Sequence, residues 1–333
     1  MSKRRLLAAA MQKSGILRAL EMYKSKPGIL IINHHRIGHA ANGRFDREVF
    51  SATADDLDTQ LKYFKKYLNI VSGDELEDLV ASKSKLTRMH VAITFDDGYL
   101  DNYTTAFDVL RANDAAAAFF LVPEYVGTGF IPWWDEIAYL VRNTKKHQIT
   151  LQTPVPLTIA LDPDREAAIH SVLRHYKRPD NTDGARLVAE LRAEAECPLP
   201  EATRRFLNWS EAQEMQRAGM TIGSHTQSHP ILGQLTLEQQ RWELEESKKE
   251  IEQNLGNPIT TLAYPVGSQT AFSKATEQIA HSLGYTLCFS FYGGVNTPTA
   301  MNPTDLLRGS TNPDPLLFRA ETMLAAKLGR LPY

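Results

Sequence analysis

The sequence predicts an α/β fold: one barrel of βα units on a largely parallel sheet, with an inserted subdomain. Two observations carry this. From Pro27 onward, short apolar runs alternate with helical apolar periods, which is how βα units read. Between residues 131 and 204 that rhythm breaks and then resumes, as expected of an insertion and not of a second folding unit. A length of 333 residues suits one barrel plus an insertion. With 43% hydrophobic and 23% charged residues the chain has ample material for a core. That composition excludes a disordered chain, a collagen-like fibre and a disulfide scaffold. A formal net charge of −2, from 37 Lys and Arg against 39 Asp and Glu, gives no basic excess, so no nucleic-acid partner is expected. Cys197 and Cys288 stand in no C-x-x-C arrangement and read as bystander thiols.

Taken in order, residues 4–25 read as one helix with Leu6, Ala10, Leu17 and Leu20 on a common face. Residues 1–26 hold seven Lys or Arg and one Glu. Such a helix either docks on the protein body or lies on an anionic membrane surface. Its apolar run, Leu6 to Met11, stops after six residues at Gln12-Lys13, so a cleaved secretory signal is not expected. Residues 28–35 read as a buried strand ending in His34-His35. A helix follows over 53–68, with Leu57, Leu61, Phe64 and Leu68 on one face, then a short strand at Ile70-Val71. The strand 89–95 runs into Asp96-Asp97-Gly98-Tyr99 and a helix through Val109. Residues 115–122 read as a strand that Pro123 ends.

The insertion, 131–204, opens with Pro132-Trp133-Trp134-Asp135 and carries a proline-spaced β-like piece (148–160). Polar helices follow near 165–176 and 183–194. A capping box at Ser210-x-x-Gln213 then starts a helix to Ala218, and a strand, 220–223, leads to Ser224-His225. A second box, Thr236-x-x-Gln239, opens a long helix to Leu255. Strands at 259–263, 285–290 and 306–308, a helix at 275–282 and a C-terminal helix over 311–333 complete the chain. No stretch reaches the roughly 18 apolar residues of a membrane span.

Four constellations carry chemistry, each at a strand exit. Asp96-Asp97 sets two carboxylates side by side; one binding a cation and the other acting as a base would be stable, and so would an Asx-type turn. His225 and His229, spaced H-x-x-x-H, place two imidazoles on one side of a helical turn, which suits zinc, although taken alone the pair reads rather as two surface histidines in a polar loop. Ala263-Tyr264-Pro265-Val266-Gly267 is by itself a turn signal. His34-His35 offers an acid–base candidate or a satisfied structural histidine. His39, His90, His147, His170 and His175 read as structural or surface residues, and Trp133-Trp134 as core or as the hinge of the insertion.

Together and in this order, the motifs resemble the polysaccharide deacetylases of the NodB-homology type, carbohydrate esterase family 4. Thr94-Phe95-Asp96-Asp97-Gly98 resembles the first family motif. Ser224-His225-x-x-Ser228-His229-Pro230 resembles the second, and Ala263-Tyr264-Pro265-Val266-Gly267 the third. The resemblance covers residues 27–130 and 205–310. It implies a deformed, incomplete (β/α) barrel that removes N-acetyl groups from a glycan with a metal-activated water. The metal would be Zn²⁺ or another divalent transition metal, held by Asp97, His225 and His229, with Asp96 as general base. Tyr99 of the first motif and Tyr264, Pro265 and Val266 of the third would meet substrate, a third-motif backbone N–H serving the oxyanion. Two departures stand out. The third motif often begins with Arg where this chain has Ala263, and Arg308 on the last strand is the expected substitute. The late histidine that normally supplies the acid is missing, because His281 lies in a helix at the wrong end of the next strand. Relatives with an early Tyr-His motif place it on the first strand, which makes His35 the expected acid and His34 the second choice.

The expected partner is an N-acetylated polysaccharide, oligosaccharide or lipid-linked sugar. The expected location is cytoplasmic, periplasmic being the alternative; contact with the inner membrane face through residues 4–25 is the option open if that helix does not dock on the protein body. Two rival readings remain open at this level. One is a hydrolase of another amide, imide or O-acetyl ester; the other is an inactive glycan-binding barrel.

Overall fold

The computed structural model describes residues 2–329. Two helices, α1 (Lys3–Lys13) and α2 (Ile16–Met22), replace the single N-terminal helix expected from periodicity. The break falls at Ser14-Gly15, where Gly15 adopts a left-handed φ of 77°. The barrel strand β1 (Gly28–His34) is buried along its whole length. A short parallel pair, β2 (Arg36–Ile37) and β3 (Phe50–Ala52), brackets the loop that follows.

Next come α3 (Ala54–Tyr67) and α4 (Gly73–Ala81), each opened by a complete capping box, Thr53 with Asp56 and Ser72 with Glu75. Ile70 makes a single bridge to Val91 and not a full strand. After β4 (Met89–Phe95) the chain passes through a wide π turn at 102–107 into α5 (Asp108–Ala112), and then β5 (Ala118–Leu121).

The insertion contributes α6 (Trp133–Asn143), the antiparallel hairpin β6 (Gln148–Leu151) and β7 (Leu157–Ala160), α7 (Arg165–Tyr176) and α8 (Gly184–Ala195). The barrel resumes with α9 (Trp209–Arg217), β8 (Thr221–Ser224), α10 (Leu237–Leu255), β9 (Thr261–Ala263), α11 (Lys274–Ser282), β10 (Leu287–Phe289), β11 (Arg308–Gly309) and α12 (Pro315–Leu328). The box that opens α9 is Asn208 with Glu211, two residues before the expected Ser210, because the Asn208 side chain reaches the Glu211 N–H first. The Thr236 box opens α10 as its spacing suggests. Of the C-terminal segment, 330–333 lie outside the described residues.

Seven strands form one sheet in the order β10-β9-β8-β5-β4-β1-β11, and every pairing in it is parallel. The sheet curls until its edges nearly meet: Leu306, just before β11, bridges Phe289 of β10. The result is a nearly closed barrel. Side chains alternate across each strand. Ile29, Ile31, Ala92, Ala118, Phe120, Ala263 and Phe289 share one apolar cluster on the inner face. Leu30, Ile32, Val91, Ile93, Phe95 and Phe119 belong to the cluster packed against Leu57, Leu61 and Phe64 of α3. The insertion has a cluster built on Ile137, Leu140, Ile149, Val172 and Leu187, which runs on into Tyr99, Tyr125 and Phe206 of the barrel. It is therefore a lobe of the barrel's own packing.

Candidate active site

All the motif residues lie at the C-terminal mouth of the parallel sheet, where α/β barrels collect functional side chains. Beyond β4 the backbone turns through two successive left-handed residues, Asp97 (φ 72°) and Gly98 (φ 71°). A Cβ on Gly98 would lie 2.8 Å from Leu121 Cδ2, so glycine is required there on two counts. Left-handed φ recurs at Thr226 (67°), His229 (61°) and Val266 (61°), residues that ordinarily avoid it. Backbone strain thus gathers in the three motif loops, as it does at many functional sites.

Asp96 is buried and doubly fixed. Arg308 Nη1 and Nη2 donate to its Oδ1 and Oδ2 at 2.7 and 2.8 Å, and Asn33 Nδ2 donates to Oδ2 at 2.9 Å. Arg308 is itself fully buried and also donates to Ser290 O, Asn33 Oδ1 and Thr94 Oγ1. Burial alone would raise the Asp96 pKa, but the guanidinium of Arg308 outweighs it and holds the carboxyl well below the usual range. Position 263, where relatives often carry arginine, is a buried alanine on the inner face, and the carboxylate's bidentate partner comes from β11 instead.

Asp97, His225 and His229 are buried together, one ligand atom of each lying within 4.8 Å of the others. The Nε2 atoms of His225 and His229 lie 3.5 and 3.3 Å from Asp97 Oδ1, which has no hydrogen-bond partner among the described residues. His225 Nδ1 stands 2.7 Å from the Ala263 carbonyl, which can only accept, so that nitrogen carries the proton and Nε2 presents its lone pair. Burial lowers the His225 pKa to about 4, favouring this neutral form. Lone pairs and an unpaired carboxylate oxygen converging in a buried space repel one another unless a cation sits among them. The trio therefore fits a divalent metal.

The loop that carries the two histidines is held by a residue the motifs do not include. Glu243 of α10, buried, accepts from the Gln227 and Ser228 N–H groups at 2.9 Å each and from Ser228 Oγ at 2.6 Å. No local signal in the sequence marks it, since it lies mid-helix in a charged stretch. Trp134 closes the other side, its ring 4.4 Å from that of His229.

The two adjacent histidines of β1 part company. Asn33 faces inward onto Asp96, so His34 faces outward, where it stacks on Phe95 at 5.2 Å with neither ring nitrogen hydrogen-bonded among the described residues. Burial, and then the neighbouring His35, depress its pKa to about 3. His34 is not among the residues that line the pocket, so this side chain is out of reach of a substrate there and cannot serve as the acid. His35 lies just past the strand, half-buried in the pocket, with Nε2 4.0 Å from Asp96 Oδ2.

Two further expected contacts fail for similar reasons. Tyr99 is fully buried; its hydroxyl accepts from Trp134 Nε1 at 2.8 Å and donates to Asp135 Oδ2 at 3.2 Å, tying the insertion to the barrel. The ring of Tyr264 stacks on Phe272, and its hydroxyl donates to Thr304 O. In the third motif the Tyr264 N–H donates to Phe289 O and the Gly267 N–H to Pro265 O, while buried Pro265 has none to give. Val266 lines the pocket, and among the N–H groups of Tyr264, Val266 and Gly267 its own is the one with no partner among the described residues.

The pocket holds about 340 Å³. Its far wall comes from the insertion and the loop between β2 and β3, through Trp133, Leu173, Arg174, Lys177, Asp46 and Glu48. His170, expected to be a bystander, stands on this rim 3.3 Å from Glu48. Trp133 lies flat on Tyr176 at 3.9 Å.

Known proteins share this architecture. The deacetylase PplD of Streptococcus pyogenes, solved in complex with acetate, superposes with a TM-score of 0.58 at 20% identity, over 90% of this chain and 99% of that one. IcaB from Ammonifex degensii gives 0.57 at 17% identity, over 90% and 98%. YxkH of Bacillus subtilis (strain 168), whose name places it among polysaccharide deacetylases, is 23% identical over 209 residues, 62% of this chain. The match spans 48%, about half, of that curated relative's own length. The family model described as polysaccharide deacetylase matches residues 83–288. By that match, which takes in the Asp-Asp, His-x-x-x-His and third-motif loops, the chain belongs to the polysaccharide deacetylase family.

Proposed function

We propose that this chain is a metal-dependent deacetylase that hydrolyses the N-acetyl group of a glycan, releasing acetate and leaving a free amino sugar. One observation carries the reading. A cation-fitting trio, Asp97, His225 and His229, opens onto the same pocket as an ion-paired carboxylate, Asp96, and a half-exposed imidazole, His35. A divalent cation bound by the trio, zinc or another transition metal, supplies Lewis acidity and lowers the pKa of water.

The chain's own residues supply the rest. Asp96 stays ionised across the working pH range and accepts the proton of the attacking water; Arg308 and Asn33 leave it no rotameric freedom. The free Val266 N–H is the donor available to the carbonyl oxygen as negative charge develops there. His35 holds a proton for the departing nitrogen, so that the C–N bond breaks to a neutral amine and acetate. Trp133 and Leu173 offer apolar area to a sugar face, and the charged rim offers hydrogen bonds to its hydroxyls.

Metal removal tests this directly. Chelator-treated protein should release no acetate from N-acetylated oligosaccharides or lipid-linked sugars until zinc is restored, and His225→Ala should fail to retain stoichiometric metal. Full acetate release by metal-free protein would refute the reading.

A further inference from the structure

Large apolar side chains left in water are usually scattered singly over a protein surface. Here six of the ten among the described residues gather on the terminal helices: Leu6 and Leu7 on α1, Ile16 and Met22 on α2, Tyr23 just after it, and Leu328 at the end of α12. They are not surplus core. Ala8, Met11 and Leu17 already supply the faces of α1 and α2 that pack on the body. Tyr23 and Leu328 are neighbours, since Lys327 donates to the Tyr23 carbonyl and Lys26 to that of Leu328.

The charge on this segment is equally segregated. Residues 2–26 carry seven Lys or Arg and one Glu on a chain whose formal net charge is −2. The single acid, Glu21, is bound by Arg319 and Tyr63, and Arg5 is paired with Asp314. Lys3, Lys13, Arg18 and Lys24 are exposed beside the apolar side chains.

We propose that α1, α2 and the end of α12 form a docking surface for an anionic lipid bilayer. Apolar side chains enter the headgroup boundary, while lysine and arginine stems lie along it and their charges meet anionic lipid. A second copy of the chain is the poorer occupant, because a symmetric contact would set two strongly positive patches against each other. No helix among the described residues is long and apolar enough to cross a membrane, so the surface lies on the bilayer. Lys26 N–H bonds Ala326 O, and Ser25 Oγ accepts from Met89 N at the start of β4, which places the Tyr23–Leu328 part of the surface towards the strand N-termini, while Arg5 of α1 pairs with Asp314 at the start of α12. The proposal does not rest on the deacetylase reading.

Co-sedimentation of the full chain with vesicles tests it. Protein should pellet with phosphatidylcholine–phosphatidylglycerol vesicles and remain in solution with phosphatidylcholine alone. Binding should weaken as salt shortens the Debye length from about 10 Å at 0.1 M to about 3 Å at 1 M. Lys13→Glu with Arg18→Glu, and separately Leu6→Ser with Ile16→Ser, should each lower partitioning at least about tenfold without moving the thermal unfolding midpoint, since all four side chains are exposed. Failure of the wild type to bind, or equal binding to both vesicle types, would overturn the proposal. So would a concentration-dependent dimer that the same substitutions abolish.

Discussion

Asp96 and His34 are both fully buried, on neighbouring strands, and their surroundings act on them differently. Arg308 makes the charged form of Asp96 the stable one, whereas no hydrogen bond among the described residues reaches His34 and burial keeps it neutral. Arg308→Met should therefore raise the Asp96 pKa and move the acid limb of the pH–rate profile to higher pH. It should also cost about 3–5 kcal/mol of stability, the usual result of orphaning one member of a buried ion pair. An unshifted acid limb in a folded Arg308→Met protein would contradict the role given to Arg308. For His34, the folded pKa of about 3 lies below the ordinary 6.5, so its stabilising neutral form is fully populated above pH 6.5 and its contribution falls as pH drops towards 3. Denaturant unfolding should show this group taking about 2 kcal/mol from the wild type between pH 7 and pH 5, at about 1.4 kcal/mol per unit below 6.5. His34→Phe should lack that loss and keep its activity. His35→Ala should retain metal and lose turnover; a fully active His35→Ala would remove it as the acid.

At the scale of the element, the site is three strained loops held by distant supports. Glu243 takes both backbone N–H groups that precede His229, so Glu243→Gln should weaken metal binding about 10–100-fold, as loss of a support behind metal ligands generally does. Competition with a chromophoric chelator measures it, and an unchanged affinity would show that the loop holds its shape alone. The motifs and their strand exits were legible because each is a short run with local periodicity around it. Glu243 was not, since its hydrogen bonds span fifteen and sixteen residues of sequence. Arg308 could be nominated from its place at the end of the last strand, but its bidentate geometry depends on closure of the sheet. The resemblance to an early Tyr-His motif pointed to His35, but which of the two histidines faces the pocket is decided by side-chain alternation, whose phase the inward-facing Asn33 reveals. The same limit applied to Tyr99 and Tyr264, motif residues whose rings turn into the core.

At the scale of the molecule, the insertion and the barrel share packing through Tyr99, Tyr125 and Phe206, and the Trp134–Tyr99–Asp135 hydrogen bonds cross between them. One cooperative unfolding transition is expected, with insertion and barrel melting together; two separated calorimetric transitions would show a domain where we see a lobe. The insertion's rhythm break was visible in sequence, but its place as the pocket's far wall was not, because that wall forms only when α7 folds back over the barrel mouth. Barrel, lobe and strained loops together serve one claimed reaction, and its products test it best. Incubated with an N-acetylated hexosamine oligosaccharide and zinc, the protein should yield acetate and new primary amine in equal amounts, and Asp96→Asn should yield neither. Acetate without amine would mean an ester was cleaved, and absence of both from the metal-loaded wild type on every N-acetylated glycan tried would contradict the account.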